Sequence, residues 1–582
     1  MKHYAIIGGG PRGLFALESL FTALYNNAPK AQIKVTLFEP FKYPGSGWVW
    51  NPEQVASNWL NITERALQDL PGRPEIKLGD DIIPTFPSYT EWLPEEQQNP
   101  PATHPDQFPP RAKMGTYLNA RFETIASALK GFDLLNIVEE TVTKLTYIAP
   151  EFTAITENTS INAIDEVVLT IGHQDTELSE QLREWTDHVA QTDNALLFTE
   201  AYPVEKMINA NINSESVVAF RGFGLAMIDQ IRALTLQRGA HFEMLDNDTK
   251  EVAFHSGENH PQRFVPFSLD GLPMVPKPIN KAVDKWFMPS DDAINAFAKA
   301  IHKGACGDHP ANDQYFLLEA MAAVVAPLFL KLGDKVIQHD LTEEEVYYLT
   351  INYLNNKSLA HPLLLSHQKP VLQMMQKQVE MAVGEAQVSL DYFIGQVWRH
   401  CQPTIYREFS YPAIADDVVA EVIALDEASK RYSYGPPVDS IQQLIALAKA
   451  GLLDLGFVNN PEIICVDGGW QLESNGKKVT VDVMLNAVLD SPQLVSVDTP
   501  IIKNLLSYEM IEPKHTDLGI RTDDYGYVEV PEGKSFVPLA VLGRLSKGSV
   551  IGVDAILECF GPRTISWSER SIALMKNEKK RR

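Results

Sequence analysis

The chain has 582 residues, enough for about two to four domains, and its 45% hydrophobic and 21% charged content is that of an ordinary globular protein. A net charge of −25 excludes a nucleic-acid binder, whose phosphate contacts need a basic surface. Cys306, Cys401, Cys465 and Cys559 form no Cys-x-x-Cys pair and no zinc-spaced cluster with histidine, which excludes a disulfide framework or structural metal and makes a reducing cytoplasm the default location. No membrane segment is expected, because the most apolar run, 320–330, is too short to span a bilayer and contains Pro327. No secretory signal is expected either, since Ile6 already lies inside the first strand. The basic tail from Lys576 to Arg582 reads as a solvated, disordered end.

Tyr4 to Ile7 is a short apolar run with the composition of a buried strand. Gly8, Gly10 and Gly13 then fit G-x-G-x-x-G, and Leu14, Leu17, Leu20, Phe21 and Leu24 follow at helical spacing. A second strand, Ile33 to Phe38, ends at Glu39, and a glycine- and aromatic-rich loop from Pro40 to Trp48 comes next. Residues 80–110 are dense in proline and read as a surface excursion; Pro110-Arg111 opens a helix to Leu129. Val138 to Ile161 alternates apolar and polar residues, which predicts an antiparallel meander feeding the strand Asp165–Ile171 and Gly172-His173. A second strand–glycine–helix unit runs from Val217 to Arg238, with Gly222 and Gly224 in the first two glycine places and Met227 in the third; a strand over Ala240–Leu245 is expected after it. Helical periodicity covers Ile294–Ile301, Tyr315–Leu332, Glu343–Leu354, Val371–Trp398, Val418–Ser429 and Ile441–Leu453. Strands return over Ile463–Asn486, and a last strand, loop and helix occupy 538–557. The two glycine loops are the only self-similarity in the sequence.

Each glycine of the first loop has its own task. Gly8 permits the tight turn out of the strand, Gly10 lets a pyrophosphate approach the backbone, and Gly13 lets the helix pack close to the strand. The free N–H groups and positive dipole end of the helix favour a phosphate anion. A carboxylate at Glu39 can accept hydrogen bonds from both hydroxyls of a ribose and repels a 2′-phosphate, so FAD or NAD suits this site better than NADP. The alternative is a glycine-rich turn in an ordinary α/β domain.

The order of these parts resembles the two-dinucleotide-domain flavoproteins. More narrowly, it is similar to the FAD/NAD(P)-binding family whose N-terminal domain is shared with FAD-dependent urate hydroxylase and aspartate N-monooxygenase. The residues that carry the resemblance are 8–13 with Glu39, Pro110-Arg111 with Gly115 and Tyr117-Leu118, 169–173, 222–226 with Asp229, 271–273, and 543–548 with Trp567. It implies an α/β fold with a Rossmann-like FAD domain and an inserted helical domain: an FAD-binding part over 1–175, a second dinucleotide-binding-like domain over 176–290, a mainly helical domain over 291–480 and a C-terminal return to the FAD domain over 481–582. It further implies that Gly8, Gly10 and Gly13, with Pro11 and Arg12 between them, hold the FAD pyrophosphate, and that Glu39 holds the ribose. Ser46, Trp48 and Asn61 would lie near the ribityl chain or flavin, and Val142 near adenine. Gly172 would allow close packing beside the cofactor, and Gly543 and Arg544 would bring the C-terminus back to it. Gly222 and Gly224 would face NAD(P)H. Two departures stand out: Ile171 separates Thr170 from Gly172, and Met227 replaces the third glycine.

The activity implied is that of an FAD-dependent oxidoreductase, an NAD(P)H-dependent monooxygenase hydroxylating a small nitrogen-containing molecule. A reductase without oxygen insertion and a flavin-binding module with little turnover stay open. His173 is either an acid/base group or a strand-end cap, Arg221 either a phosphate partner or a bridge to an acid, and Asp229 a helix-face residue or a ligand. The catalytic residues, the substrate, the choice of NADH or NADPH and the oligomeric state are not written in the sequence.

Overall fold

The computed structural model describes residues 1–79, 81–530 and 535–581, with side chains through Lys576. Strand β1 (Lys2–Ile7) leads through the first glycine loop into helix α1 (Pro11–Asn27), and β2 (Ile33–Phe38) follows. After a long excursion come α2 (Arg111–Gly131) and β3 (Leu135–Val138). The expected meander is present as β4 (Lys144–Ile148), β5 (Glu151–Ile155) and β6 (Ser160–Ile164), and it feeds β7 (Glu166–Leu169).

Strand β8 (Leu196–Phe198) opens a second unit, followed by β9 (Val217–Arg221), α3 (Leu225–Leu236), a hairpin of β10 (His241–Asp246) and β11 (Glu251–His255), and β12 (Arg263–Phe267). Seven long helices come next: α4 (Asp291–Cys306), α5 (Tyr315–Lys331), α6 (Glu343–Asn355), α7 (Val371–Val383), α8 (Leu390–Glu408), α9 (Asp416–Ser433) and α10 (Val438–Lys449). A second meander of β13 (Glu462–Val466), β14 (Gly469–Ser474) and β15 (Lys477–Val481) precedes β16 (Val483–Asn486). The chain finishes with β17 (Leu539–Val541) and α11 (Pro562–Arg581). The basic tail therefore begins on a helix; its side chains beyond Lys576 lie outside the described residues.

Two parallel sheets organise the molecule. The first has the order β17-β7-β1-β2-β3, the second β8-β16-β9-β12. Their registers correspond. Ile7 faces Phe38 and Leu169 in the first; Arg221 faces Phe267 and Asn486 in the second. The amide of Gly8 donates to the Phe38 carbonyl at 2.9 Å, and that of Gly222 to Phe267 at 2.8 Å. Glu39 N–H donates to Val138 O at 3.0 Å, and Ser268 N–H to Val458 O at 2.9 Å. In each unit a three-stranded antiparallel meander then leads back to the strand beside the glycine loop.

The chain is thus a structural repeat that extends well beyond the two glycine loops. The strand expected after α3 is present, in the β10–β11 hairpin, while β12 is the parallel partner of β9. The helices are inserted between β12 and β16, so they interrupt the second unit and share one continuous core with Val218, Phe220, Met227 and Ile231. Val483–Asn486 is an inner strand of the second sheet, so the return to the first sheet starts after Asn486 and not at 481. The helical run Val371–Trp398 is also two helices. Gly384, at φ +84, ends the first in the left-handed conformation that favours glycine, and Ser389 precedes the second.

The first sheet is covered on one face by α1, α2 and α11, whose Leu14, Leu17, Phe122, Trp567 and Ile572 pack together. Its other face meets the first meander and residues from 494 to 545. Helix α11 is pinned by Ser571, whose hydroxyl donates to Tyr4 at 3.0 Å and to buried Glu166 at 2.8 Å.

Candidate functional site: two glycine loops

The first loop has the geometry its residues demand. Gly8 sits at φ +99, and a Cβ there would stand 2.6 Å from the Thr170 carbonyl oxygen. A Cβ on Gly13 would stand 2.1 Å from the Gly8 carbonyl oxygen, so only glycine allows α1 to lie this close to the strand. Gly10 differs: the nearest atom to its Cβ position is the Gly47 Cα at 3.9 Å. Room for a side chain exists there, yet the residue is glycine, which fits a position that a pyrophosphate approaches. Gly10 caps α1, and Pro11 occupies its first turn, where the missing N–H costs nothing.

Gly9 was missed by the motif. Its Cβ would stand 2.9 Å from the Glu39 Cβ, and its amide donates to Glu39 Oε2 at 2.6 Å. Glu39 Oε1 accepts from Phe41 N–H at 2.9 Å. Burial pushes the Glu39 carboxyl upward, while these two amides hold it down. The side chain is thus fixed at the end of β2, over the loop. Thr170 was also missed; its hydroxyl donates to the Gly8 carbonyl at 2.6 Å and stabilises the turn. The run Thr170-Ile171-Gly172 could have given it away.

The loop from Tyr43 to Trp48 lies against the fingerprint. Gly45 N–H donates to Gly9 O at 2.6 Å, and a Cβ on Gly47 would approach Gly10 Cα to 3.3 Å. Ser46 is fully buried and shapes this loop internally, its hydroxyl donating to Tyr43 O at 2.6 Å. The Trp48 ring lies 6.1 Å from that of His173, at the end of β7. Burial lowers the His173 pKa, and the positive charge of Arg544 lowers it further. Gly172 has φ +67 and open space around its Cβ position. Further along the chain, Trp50 Nε1, Ser57 Oγ and Asn58 Oδ1 are buried without a hydrogen-bond partner. Each such atom costs about 1–3 kcal/mol unless something bonds it. The glycine cradle and the fixed carboxylate fit a bound dinucleotide.

Other candidates make contacts within the protein. The Arg12 guanidinium donates to the carbonyls of Glu558 at 3.0 Å and Val553 at 3.5 Å, and Gly543 leaves room for its side chain. Arg12 therefore ties the C-terminal return to the first turn of α1. Arg544 pairs with Asp554 and donates to Asp490 O at 2.6 Å. The Asn61 amide donates to Tyr434 O at 3.3 Å, and its carbonyl accepts from Lys277. Lys277, also missed, is buried, which drops its pKa to about 7, with Arg399 adding to the effect. The Val142 side chain is part of the core under the first meander.

In the second loop Gly222 has φ +123, and its Cβ would stand 3.0 Å from the Ala487 carbonyl. Gly224 caps α3 and has nothing within 4 Å of its Cβ position, as at the open Gly10. Met227 is buried in the core shared with the helical insertion. Register places Ser268 where Glu39 stands in the first unit, so the second strand end carries a hydroxyl instead of a carboxylate. Arg221 is held by Asn486 at 3.0 Å and Gln181 at 2.8 Å. Among the described residues no cluster of His, Cys, Asp and Glu could hold a metal, and no helix is long and apolar enough to cross a membrane.

Comparisons with known proteins agree with this geometry. Residues 5–174 match a family model described as FAD-NAD(P)-binding. The nitrosuccinic acid synthase of Aspergillus oryzae is 26% identical over 569 residues, 89% of this chain and 83% of that protein. The L-aspartate N-monooxygenase (nitrosuccinate-forming) of Streptomyces davaonensis is 27% identical over 266 residues, but only 41% of this chain and 39% of that protein are matched. A caprolactone-bound cyclohexanone monooxygenase covers 99% of this chain and 89% of its own at 12% identity, with a TM-score of 0.44, too loose an overlay for comparing sites. The segment that holds the first glycine loop and Glu39, residues 5–174, is thus the part of the chain that is similar to the FAD-NAD(P)-binding family.

Proposed function

We propose that the protein is an FAD-dependent monooxygenase that uses NAD(P)H and molecular oxygen to hydroxylate the nitrogen of a small amine-bearing molecule. The overall reaction balances as substrate, O2, NAD(P)H and a proton giving hydroxylated substrate, NAD(P)+ and water. The observation that carries the reading is the pair of matched glycine loops, each with an open second glycine at a helix cap. The nitrosuccinate-forming relatives support a nitrogen-bearing substrate. Flavin, when bound, supplies the two-electron redox and oxygen chemistry.

The chain's own residues bind and orient. Gly8, Gly10 and Gly13, with the amides at the start of α1, receive the pyrophosphate of FAD, and Glu39 receives the adenosine ribose. Ser46 and Trp48 shape the wall beside the ring system. Gly222 and Gly224 receive the nicotinamide dinucleotide. Residues 1–175 and those beyond Asn486 then serve FAD, while 176–486 serve the nicotinamide dinucleotide and the substrate. The four free cysteines support a reducing compartment such as the cytoplasm.

The test is mass spectrometry of the released cofactor, then anaerobic titration with NADH and NADPH, then product analysis with candidate amines in air. FAD, bleaching by one or both nucleotides, and an oxygenated amine are expected. FMN in place of FAD removes the reading of the first loop. Peroxide as the sole oxygen product with every amine favours a reductase.

A further inference from the structure

One helix holds both nucleotide loops. Arg121, in the middle of α2, makes a two-pronged pair with Glu18 of α1, Nε to Oε1 at 2.9 Å and Nη2 to Oε2 at 2.7 Å. Both side chains are almost completely buried. Ten residues earlier on the same helix, Arg111 donates to Asp229 of α3 at 2.6 Å. Tyr202 completes this second site, its hydroxyl donating to Asp229 at 2.7 Å and accepting from Arg111 at 3.0 Å. Glu18 and Asp229 lie on the helices that begin at Gly10 and Gly224, in their second or third turn. Ten residues of helix separate the two arginines by about 15 Å.

The pairs differ in what they join. Glu18–Arg121 is internal to the first unit, where Arg73 also donates to Glu18 at 3.1 Å. Arg111–Asp229 crosses from the first unit to the second. One turn beyond Asp229, Arg232 lays its guanidinium 3.8 Å above the Trp59 ring, so the first unit grips the same face of α3 twice. Removing one partner of a buried charge pair is costly, so such a pair favours the arrangement of elements that keeps it intact.

We propose that α2 is a strut between the two glycine loops, and that Arg111, Asp229 and Tyr202 are positioning residues for hydride delivery. This rests on the reading of the two loops given above. The strut sets the distance between the dinucleotide on the second loop and the flavin on the first. The step it governs is the transfer of two electrons and a proton as hydride, in which NAD(P)H is oxidised and flavin reduced. It does not govern FAD affinity, which belongs to the first loop.

The experiment uses Asp229→Asn, which removes the charge and keeps the shape, and Arg111→Lys as a second variant should the first not fold. FAD content, the limiting rate of anaerobic flavin reduction and the nucleotide Kd are measured by stopped flow, with reoxidation of dithionite-reduced enzyme in air as a reference. The expected result is full FAD content, reoxidation as in the parent, a nucleotide Kd within threefold, and a reduction rate at least tenfold lower. An unchanged reduction rate in a folded variant overturns the proposal. A second measurement needs no nucleotide: spin labels at Asn26→Cys on α1 and Gln237→Cys beyond α3, with Cys306 and Cys465 changed to serine, report the distance between the two helices. A shifted or broadened distance distribution in Asp229→Asn is expected, and an unchanged one overturns the strut. If the parent is reduced by dithionite but by neither nucleotide, the reading of the second loop fails, and the label distances alone decide whether the pair holds the helices.

Discussion

At the scale of single residues, the two kinds of glycine in the first loop separate ligand from fold. Gly10 has φ −69 and open space, so valine there is compatible with the backbone and the packing. Gly10→Val is expected to keep the thermal midpoint of the flavin-free parent and to lose FAD, as read by circular dichroism melting and flavin absorbance. Gly13 has a carbonyl oxygen 2.1 Å from its Cβ position. Gly13→Val is therefore expected to lower that midpoint as well, overpacking of this kind costing about 1–3 kcal/mol or more. Lys277 supplies a pH test. Its ordinary value of 10.5 falls to about 7 on burial, so over that interval the unfolded chain holds a proton that the folded one has released. Stability from this group rises with pH across the window and is lost as pH falls towards 7. The stability difference between the parent and Lys277→Met should therefore move in the parent's favour by about 1.4 kcal/mol per unit from pH 7 to 10, and stay flat below 7. Denaturant unfolding followed by tryptophan fluorescence at several pH values measures that slope; an equal slope in both proteins would contradict the assignment.

At the scale of elements, the second loop repeats the first with one substitution. Gly224 has φ −123 and an empty Cβ position, so Gly224→Val is expected to fold, keep FAD and reduce slowly with NAD(P)H. Stopped-flow reduction checks it, and parent-like rates would mean that hydride arrives without this loop. The glycine spacing, the strand ending in Glu39 and the first meander could all be read from the sequence, because each is a local pattern with one physical meaning. The partner of β9 could not. A hairpin, β10 and β11, lies between α3 and β12, and local β pattern carries no information on which strand joins which sheet. Arg12 shows the same limit for a side chain. Its place inside the fingerprint suggested a phosphate, but its partners, Glu558 and Val553, lie more than five hundred residues away. The break at Gly384 was legible in principle, since a glycine stands there in an otherwise helical run.

At the scale of the whole molecule, the chain closes on itself. Helix α11 covers α1, places fully buried Trp567 in the first core and hydrogen-bonds Tyr4 and Glu166 through Ser571. Removing residues 562–582 is expected to strip that core and abolish FAD binding, whereas the second unit should survive limited proteolysis as a protected fragment near 176–486; mass mapping of the fragments checks this. The repeat gives the same chain a direction in time. The second parallel sheet is complete once Asn486 is made, but the first waits for Val541, and its core waits for Ile572. During synthesis from the N-terminus the unit that begins first is therefore the last to finish. A nascent chain halted shortly after Asn486 would display a finished second loop and an unfinished first one, so flavin can be captured stably only once the segment through Ile572 has emerged to complete the first core.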